Sequence, residues 1–388
     1  MSDAALPPSA EFAGGTHARR TLVRAEGAAF WDDQGRRLVD LGATHGAGSL
    51  GAANPEVAAA VAEQARTLLY LGSGYENPVR TRFLEKLLAL LPPSFGRVFL
   101  SNSGTEAVEA GIKIARGATG RPKVVAAMRG FHGRTLGALS ATWRRELREP
   151  FEPLVPEFYH VPFNDVAALE AAVDASTALV LLEPVQGEGG VHVATGEYLR
   201  AARAVSDRSG ALLAFDEVQA GVARTGRMFA FERWGVVPDV LLLAKSLAGG
   251  VPIGATVTTP EVEARFRGTH HSTFGGNPLA CAAGIAALDF TVREKLAERA
   301  ERLGSLARQK LATLPPERLR EVRGLGLLIG IELREKSAPY LAALERRGFL
   351  AISAGATVIR LIPPLVISDE DWSAGLDAVA EVVADGAR

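Results

Sequence analysis

The chain has 388 residues, a formal net charge of -1, 47% hydrophobic residues and 22% charged residues. This balance is ordinary for a globular protein and argues against a nucleic-acid partner or an anionic membrane as partner. Cys281 is the only cysteine, which excludes an intrachain disulfide, and neither a signal-peptide pattern nor a membrane-length apolar run occurs. We therefore expect a cytoplasmic protein, and the length predicts two domains.

The first hundred residues predict a loosely ordered start, a hairpin and a helix. Residues 1–20 are rich in Ala, Gly and Pro, which is typical of loosely ordered chain. Residues 28–40 predict a hairpin around an Asp-Gln-Gly turn. A G-x-G-x-x-G motif at 46–51 precedes a predicted helix at 55–69. We reject a dinucleotide site, because the Gly-rich segment 70–78 is not the strand that a βαβ unit requires.

The middle of the chain alternates apolar runs with helical segments. Runs that are apolar at every position predict strands covered on both faces, and helices between them favour a largely parallel sheet flanked by helices. The predicted strands are 97–100, 124–128, 178–183, 211–218 and 240–245, with helices from 104 to about 116 and over 197–209.

The last third has a different pattern. It predicts a long helical region, two strands and a closing helix, at 279–314, 322–333, 358–362 and 369–387. Together with the N-terminal hairpin, these elements favour a smaller α+β domain. We therefore predict an α/β fold with a large domain over 46–277 and a small domain formed by 1–45 and 278–388.

Two charged residues end apolar runs. Lys245 follows 240–244, and burial there is costly because removal from water disfavours the ammonium form. Its side chain either reaches the surface or a carboxylate, or it is an amine kept reactive enough to form a Schiff base. Asp216 ends another run and poses a similar choice. It either pairs with an arginine or binds a protonated ring nitrogen.

Residues 103–106 predict the start of a helix. Ser103 can cap this helix, and Glu106, three residues later, completes a capping box. The same segment also suits an anion, because Gly104 lets the backbone approach closely and Thr105 adds a hydroxyl at the positive end of the helix. Phosphate is the anion that such a site favours.

Two arginines are candidates for carboxylate binding. Arg134 follows a Gly-rich loop, and Arg360 ends an apolar run in the predicted small domain. Either could be structural, although the planar guanidinium suits carboxylates. Two arginines from different domains would suit a substrate with two anionic groups. Otherwise, one of the two arginines must be masked. Glu183 and Glu188, in a Gly-rich loop, are weak candidates by themselves.

Other chemistries lack their patterns. The adjacent His270 and His271 cannot chelate a metal from one helix face, and no Cys/His ligand pattern occurs, so we predict no metal site. The nucleophile elbow G-x-S-x-G and the phosphate loop G-x-x-x-x-G-K-[ST] are also missing from the sequence.

The candidate groups in combination point to one cofactor. A reactive lysine, a buried acid for a ring nitrogen and a phosphate-suited helix start are the parts that hold pyridoxal phosphate. From about residue 30 to 382 the sequence also resembles the subgroup III, fold-type I aminotransferases, above all the acetylornithine aminotransferases and their relatives in lysine biosynthesis. The resemblance rests on NSGTEA at 102–107, GFHGRT at 130–135, EPVQGEG at 183–189, DEVQ at 216–219, AK at 244–245 and STFGGNP at 272–278.

The resemblance implies roles around the cofactor. Lys245 would form the Schiff base and act as general base, and Asp216 would keep the pyridine nitrogen protonated. Phe131 and Val218 would pack on opposite faces of the ring, and Gln219 would approach its phenolic oxygen. The remaining residues expected at the cofactor are Ser103, His132 and Glu217, with Gly104 and Thr105 at the phosphate, joined by Thr273 of a second subunit.

The same resemblance implies the substrate contacts. Arg134 would bind the α-carboxylate of the amino-acyl substrate and Arg360 that of glutamate, with Glu188 masking Arg360 when the other substrate is bound. Ser272 of the second subunit would border the substrate. These implications predict a homodimer with shared active sites and a ping-pong exchange between an amino acid and a 2-oxo acid.

The sequence leaves the donor open. We expect transfer of the terminal amino group of an N-acylated ornithine or lysine-type substrate to 2-oxoglutarate, in arginine or lysine biosynthesis, with acetylornithine favoured. The alternative is a donor tethered to a small acidic carrier protein, which Arg144, Arg145 and Arg148 could meet, although they could equally form a solvated helix face. Ornithine or 4-aminobutyrate aminotransferases are less favoured. A lyase or racemase with the same cofactor would not need a masked second arginine.

The chain departs from the family pattern at three places. Residues 51–55, Gly-Ala-Ala-Asn-Pro, replace a Gly-His-x-His-Pro-like stretch, and Ala220 replaces a threonine that follows the glutamine in many relatives. An aromatic residue often found near His45 is also missing. These differences leave the cofactor assignment intact and bear on the substrate.

Overall fold

The computed structural model describes residues 20–72 and 74–386. The expectation of loose order at 1–20 falls, apart from Arg20, outside the described residues, as does residue 387 of the predicted closing helix. The strands are β1 Leu22–Glu26, β2 Ala29–Asp32, β3 Arg37–Asp40, β4 Arg97–Ser101, β5 Lys123–Ala127, β6 Phe158–Val161, β7 Thr177–Leu182, β8 Val185–Gln186, β9 His192–Val193, β10 Leu212–Asp216, β11 Val240–Leu243, β12 Gly254–Thr258, β13 Leu319–Leu325, β14 Leu328–Leu333, β15 Phe349–Leu350, β16 Ile352–Ala354 and β17 Val358–Leu361. The helices are α1 Ala43–Gly46, α2 Pro55–Thr67, α3 Pro78–Ala89, α4 Gly104–Thr119, α5 Leu136–Ala141, α6 Arg145–Arg148, α7 Val166–Ala172, α8 Gly196–Ser209, α9 Pro260–Arg265, α10 Pro278–Arg293, α11 Leu296–Leu311, α12 Ala338–Arg346 and α13 Asp369–Asp385.

A seven-stranded sheet in the order β4-β12-β11-β10-β7-β5-β6 forms the centre of the fold. The pairs from β11 to β6 are parallel, as predicted from the continuous apolar runs, and β7, β10 and β11 are buried at every position. Strand β12 runs antiparallel to both neighbours. The sequence analysis missed β12 and β6. The sequence of β12, Gly-Ala-Thr-Val-Thr, has too few apolar residues to stand out as a buried strand.

Helix α4 shows how the sequence places one layer against the sheet. Ser103 caps the helix start, and Gly120 ends it in the left-handed conformation at φ 69°. Its buried face includes Val108, Ile112 and Ala115, which recur with helical spacing. A methyl group at Gly111 would lie 3.0 Å from the Leu242 side chain, so this glycine lets α4 lie close to β11.

Two four-stranded sheets lie outside the central one, in the orders β13-β14-β17-β16 and β1-β2-β3-β15. The predicted hairpin over 28–40 is confirmed by the antiparallel pair β2 and β3. The single strand predicted over 322–333 is wrong, since the chain turns back at Gly326 (φ 52°) to form the β13–β14 hairpin. The predicted long helix over 279–314 is broken between α10 and α11 at Lys295, which has φ 49°.

The N-terminal strands are joined to the C-terminal third, because β3 pairs in parallel with β15. The domain boundaries proposed above stay a prediction. None of the helices in the described ranges has the length and apolar character needed to cross a membrane.

Candidate active site

A cavity of about 350 Å³ lies at the carboxyl ends of the central strands, where open α/β sheets bind ligands. Its walls come largely from segments that directly follow strands. These segments are 102–105 after β4, 131–134 after β5, Glu183 after β7, Val218 and Gln219 after Asp216 of β10, and Ala244 and Lys245 after β11.

Lys245 faces this cavity. It directly follows β11 and Ala244, and has a left-handed backbone conformation with φ 37°, which is strained for a side chain with a Cβ atom. Burial lowers the pKa of its ammonium group. The positive charge of Arg360 also lowers this pKa, whereas the nearby carboxylates raise it. No hydrogen bond or ion pair joins the amine to another described residue. Both features favour the neutral amine, the form that attacks a carbonyl carbon.

Asp216 lies at the end of β10 with 5% of its surface exposed. Its Oδ2 atom is 2.8 Å from His132 Nδ1, and its Oδ1 accepts a hydrogen bond from the Val218 amide at 3.0 Å. Within the described ranges no arginine forms an ion pair with this carboxylate, so the arginine-paired alternative has no support. His132 is itself buried, and its Nε2 atom has no hydrogen-bond partner among the described residues.

The predicted capping box at the start of α4 is present. Ser103 Oγ accepts from the Glu106 amide at 3.3 Å and donates to Glu106 Oε2 at 2.9 Å, while Glu106 Oε2 also accepts from the Asn102 amide. The amides of Gly104 and Thr105 have no acceptor in the described part of the chain. Two N–H groups without an acceptor among the described residues therefore lie at the cavity wall, at the positive end of a sixteen-residue helix.

The cavity is narrow beside Gly104. A methyl group there would lie 2.7 Å from Val218 Cγ1, closer than side chains tolerate. Phe131 lies on the cavity wall, with its amide donating to Glu183 Oε1 at 2.9 Å. Glu183 is buried, and burial together with the charge of Asp216 raises its pKa well above the usual carboxyl range. Sequence analysis rated Glu183 as weak, yet it lines the cavity and fixes the Phe131 backbone.

Arg360, a fully buried residue of β17, does not line the cavity itself but bonds to Glu188 and Gln219, which do. Its Nη1 donates to Glu188 Oε1 at 2.6 Å and to Gln219 Oε1 at 2.9 Å, and its Nη2 is 3.1 Å from His45 Nδ1. Although burial acts to raise the pKa of Glu188, the positive charge and the hydrogen bond of Arg360 hold it well below its usual range. The predicted pairing of Glu188 with Arg360 is therefore present in the geometry.

Gln219 and Glu217 differ from the sequence-based expectation. Gln219 lines the cavity, but its amide also donates to the His45 carbonyl at 3.1 Å and to Glu188 Oε1 at 3.2 Å. Glu217 does not line the cavity. Its carboxyl oxygens accept from the amides of Ala230 and Phe231 at 2.6 and 2.8 Å and so fix that loop, and its contact with the cofactor stays a prediction.

The other predicted residues lie at the cavity edge or beyond it. Arg134 is exposed at the edge, with no ion-pair partner among the described residues. Ser272 and Thr273 line a neighbouring depression instead, which shares Asn102 with the cavity. Ser272 Oγ accepts from Asn102 Nδ2 at 3.3 Å, and Phe274 beside them is 59% exposed.

The residues present fit pyridoxal phosphate. Phe131 and Val218 line the cavity with apolar surface that suits a flat ring, and Gly104 has no Cβ atom that would push Val218 out of place. The free amides at the start of α4 suit its phosphate, and Lys245 suits its aldehyde. Asp216, bonded to His132, presents a carboxylate for a ring nitrogen.

Sequence reasoning missed several residues that line the cavity or contact its side chains. His45 was noted only for a missing aromatic neighbour, and Asn102 only as part of a motif. Residues 250–253, which begin with the second glycine of the pair Gly249-Gly250, also line the cavity. This glycine pair is the one local signal for that segment, whereas nothing near His45 predicts contact with a residue 315 positions away.

Comparisons with known proteins agree with this geometry. The model of the aminotransferase class-III family matches residues 13–383. The [LysW]-aminoadipate semialdehyde transaminase of Deinococcus radiodurans is 48% identical over 90% of this chain and 82% of its own length. The acetylornithine aminotransferase of Methanopyrus kandleri is 48% identical over 94% of both chains. The crystal structure of ornithine aminotransferase from Toxoplasma gondii superposes with a TM-score of 0.92 at 35% identity, covering 96% of this chain and 92% of that one. The family model matches most of the chain, and Lys245 and Asp216 line the cavity. The chain therefore belongs to the class-III aminotransferases and uses pyridoxal phosphate.

Proposed function

We propose that the protein moves the terminal amino group of an N-acylated ornithine or lysine-type donor to 2-oxoglutarate, with N-acetylornithine as the favoured donor. The observation that carries the proposal is the pair of arginines, one free and one masked. Arg134 is exposed and unpaired among the described residues, whereas Arg360 is buried against Glu188. A donor with one carboxylate needs only Arg134, whereas a dicarboxylate needs both Arg134 and Arg360. The names of the Deinococcus and Methanopyrus relatives support this substrate class.

The chain's own side chains account for the proton movements. When bound, pyridoxal phosphate supplies an electron sink for the carbon that bears the amino group. The Lys245 amine would take the proton from that carbon and return it at the acceptor position, a general-base role that its lowered pKa favours. Asp216 would hold a proton on the ring nitrogen. Phe131 and Val218 would hold the ring between them.

We also propose a homodimer with shared active sites. The loop that carries Ser272, Thr273 and the exposed Phe274 lies beside the cavity but does not line it within one chain. In a dimer this loop would reach the partner's cavity, with Thr273 at the phosphate and Ser272 at the substrate. The exposed aromatic pair of Tyr70 and Phe274, with ring centroids 5.3 Å apart, supports a covered surface at this place.

A donor carried by a small acidic protein is the second candidate. A second, open cavity of about 700 Å³ shares Glu188 with the first and is lined by Arg129, Arg144, Arg145 and Arg148. Arg145 pairs with Glu149 at 3.1 Å, whereas Arg129 has no ion-pair partner among the described residues. Glu146 and Glu152 line the same cavity, so its four arginines outnumber its three glutamates by one, and this small positive excess favours an acidic carrier. The name of the Deinococcus relative supports this candidate.

Half-reactions followed by the visible absorbance of the cofactor test the main proposal. Ornithine, N-acetylornithine, 4-aminobutyrate and a carrier conjugate of lysine or ornithine are offered in turn to the loaded enzyme. The largest kcat/KM is expected for N-acetylornithine, or for the carrier conjugate if the second candidate is right. The aminotransferase proposal fails if none of the four changes the spectrum.

Charge reversal separates the two donors. Arg144→Glu, and the triple change with Arg145→Glu and Arg148→Glu, should raise KM for the carrier conjugate and leave N-acetylornithine unaffected. Arg208→Glu is the matched control, because this exposed arginine pairs with Glu170 on a surface outside both cavities. Unchanged KM for the conjugate in the triple variant would rule out docking at these arginines.

A further inference from the structure

His45 has no role in the function proposed so far, yet its backbone is held in a costly conformation. The positive φ values run through four successive residues: Ala43 (40°), Thr44 (48°), His45 (59°) and Gly46 (88°). Residues with a Cβ atom rarely adopt this region, and such strain persists where the surroundings impose it, often at functional sites. Here Asp40 Oδ1 accepts from the Ala43 amide at 2.7 Å, and Gln219 Nε2 donates to the His45 carbonyl at 3.1 Å.

This backbone places Nδ1 of the His45 ring beside two opposite charges. Its Nδ1 atom lies 3.1 Å from Arg360 Nη2 and 3.5 Å from Glu188 Oε1. A guanidinium can only donate, so Nδ1 accepts this hydrogen bond, and the neutral ring carries its proton on Nε2. A protonated ring would have the opposite preference. It would repel Arg360 and donate to Glu188.

We propose that His45 is a positioning residue of the Arg360–Glu188 switch. Neutral His45 accepts from Arg360 while Glu188 masks that arginine. When a substrate carboxylate displaces Glu188, His45 takes up a proton from solvent and holds the displaced carboxylate. This inference rests on the proposed function, since it requires that Arg360 bind the second substrate. The His45 side chain is 59% exposed, so a proton from water can reach it.

The charges that face His45 set the direction of this coupling. Arg360 comes from β17, Glu188 from the loop after β8, and the Gln219 side chain is a neutral neighbour. Lys245 acts on the Glu188 carboxylate from across the cavity. In the masked state the negative charge of Glu188 is shared with Arg360. A bound dicarboxylate neutralises Arg360 and frees Glu188, so binding favours protonation of His45, and a lower pH must favour binding.

Calorimetric titration of the loaded enzyme with glutarate, an unreactive dicarboxylate, tests the coupling. The titration is repeated between pH 6 and 8.5, in two buffers of different ionisation enthalpy, which counts the protons taken up. In the wild type, glutarate binding should take up protons and weaken by up to about tenfold per pH unit at the upper end of this range. In His45→Asn the weakening should be less than about twofold per unit.

Asparagine is the matched replacement at this position. It tolerates the left-handed backbone, places an amide near the position of Nδ1 and does not titrate. If His45→Asn folds poorly by circular dichroism, His45→Gly gives the same comparison, because glycine adopts the left-handed backbone without strain and does not titrate.

Equal proton uptake and equal pH slopes in wild type and variant would overturn the role of His45. If donors still change the cofactor spectrum in that case, the aminotransferase function stands without the switch. No glutarate binding to the wild type at any pH would overturn both the switch and the role of Arg360.

Discussion

The change Glu188→Gln should lower stability and tighten dicarboxylate binding at the same time. Glutamine keeps the shape and one acceptor oxygen for Arg360 Nη1, so it removes the negative charge and little else. Arg360 is fully buried, and Glu188 is the one carboxylate that pairs with it in the described part of the chain, so no second carboxylate replaces the lost charge. A charge-assisted hydrogen bond is worth roughly 1–2 kcal/mol more than a neutral one, which sets the expected loss of stability.

The same free energy opposes a substrate carboxylate that competes for Arg360. Removal of the masking charge should therefore tighten glutarate binding by about 5- to 30-fold, since about 1.4 kcal/mol corresponds to a factor of ten. The pH dependence has a defined sign. Because the pKa of Glu188 is lowered in the folded protein, its stabilisation is fully present above the unfolded carboxyl value near about 4.3 and is lost as pH falls through the folded value.

Urea unfolding and glutarate calorimetry on the same preparations test both effects. The free energy of unfolding should differ between wild type and Glu188→Gln by a constant amount above about pH 5 and by less below about pH 4. Glu170→Gln is the control, because it removes an exposed carboxylate that pairs with Arg208 at 2.9 Å and should change stability by less than about 1 kcal/mol. Lower stability with unchanged glutarate affinity would refute the masking argument.

Three further changes test the cofactor site and its supports. Lys245→Ala should fold, bind no cofactor covalently and lose turnover. The control Lys123→Ala, which removes an ion pair with Asp174, should keep covalent cofactor binding and turnover. Normal turnover in Lys245→Ala would contradict the assignment. Gly104→Ala should lower the free energy of unfolding in urea by about 1–3 kcal/mol and weaken cofactor binding in a fluorescence titration, because the new methyl group meets Val218. Glu217→Gln should make the free energy of unfolding depend less on pH. Burial raises the pKa of Glu217 to about 8, so wild-type stability falls as pH rises from the unfolded carboxyl value toward 8, and an equally steep fall in the variant would exclude Glu217 as its source.

The sequence could place Asp216 and Lys245 because both end buried strands of one parallel sheet. Neighbouring parallel strands end at the same edge, and β10 and β11 pair directly, so two apolar runs and their last polar residues define the site. The capping box at Ser103 was predictable for a similar reason, since its partner lies three residues away. The missed strand β12 has neither kind of signal. It is antiparallel, contains two threonines and a glycine, and is identified only by its pairing with β4 and β11.

The contacts of Arg360 required the fold, because its partners come from three distant parts of the chain. Glu188 lies 172 positions away, Gln219 141 and His45 315. A guanidinium has five donors; Nε of Arg360 has no partner among the described residues, and the sequence does not say which acceptors meet the others. The family resemblance implied Glu188 but assigned Gln219 to the cofactor ring and nothing to His45. A buried arginine bonded to a carboxylate, an amide and an imidazole is more than a masked charge, because any group that displaces one partner must leave the others satisfied. This is why His45 is expected to take up a proton when a substrate carboxylate binds.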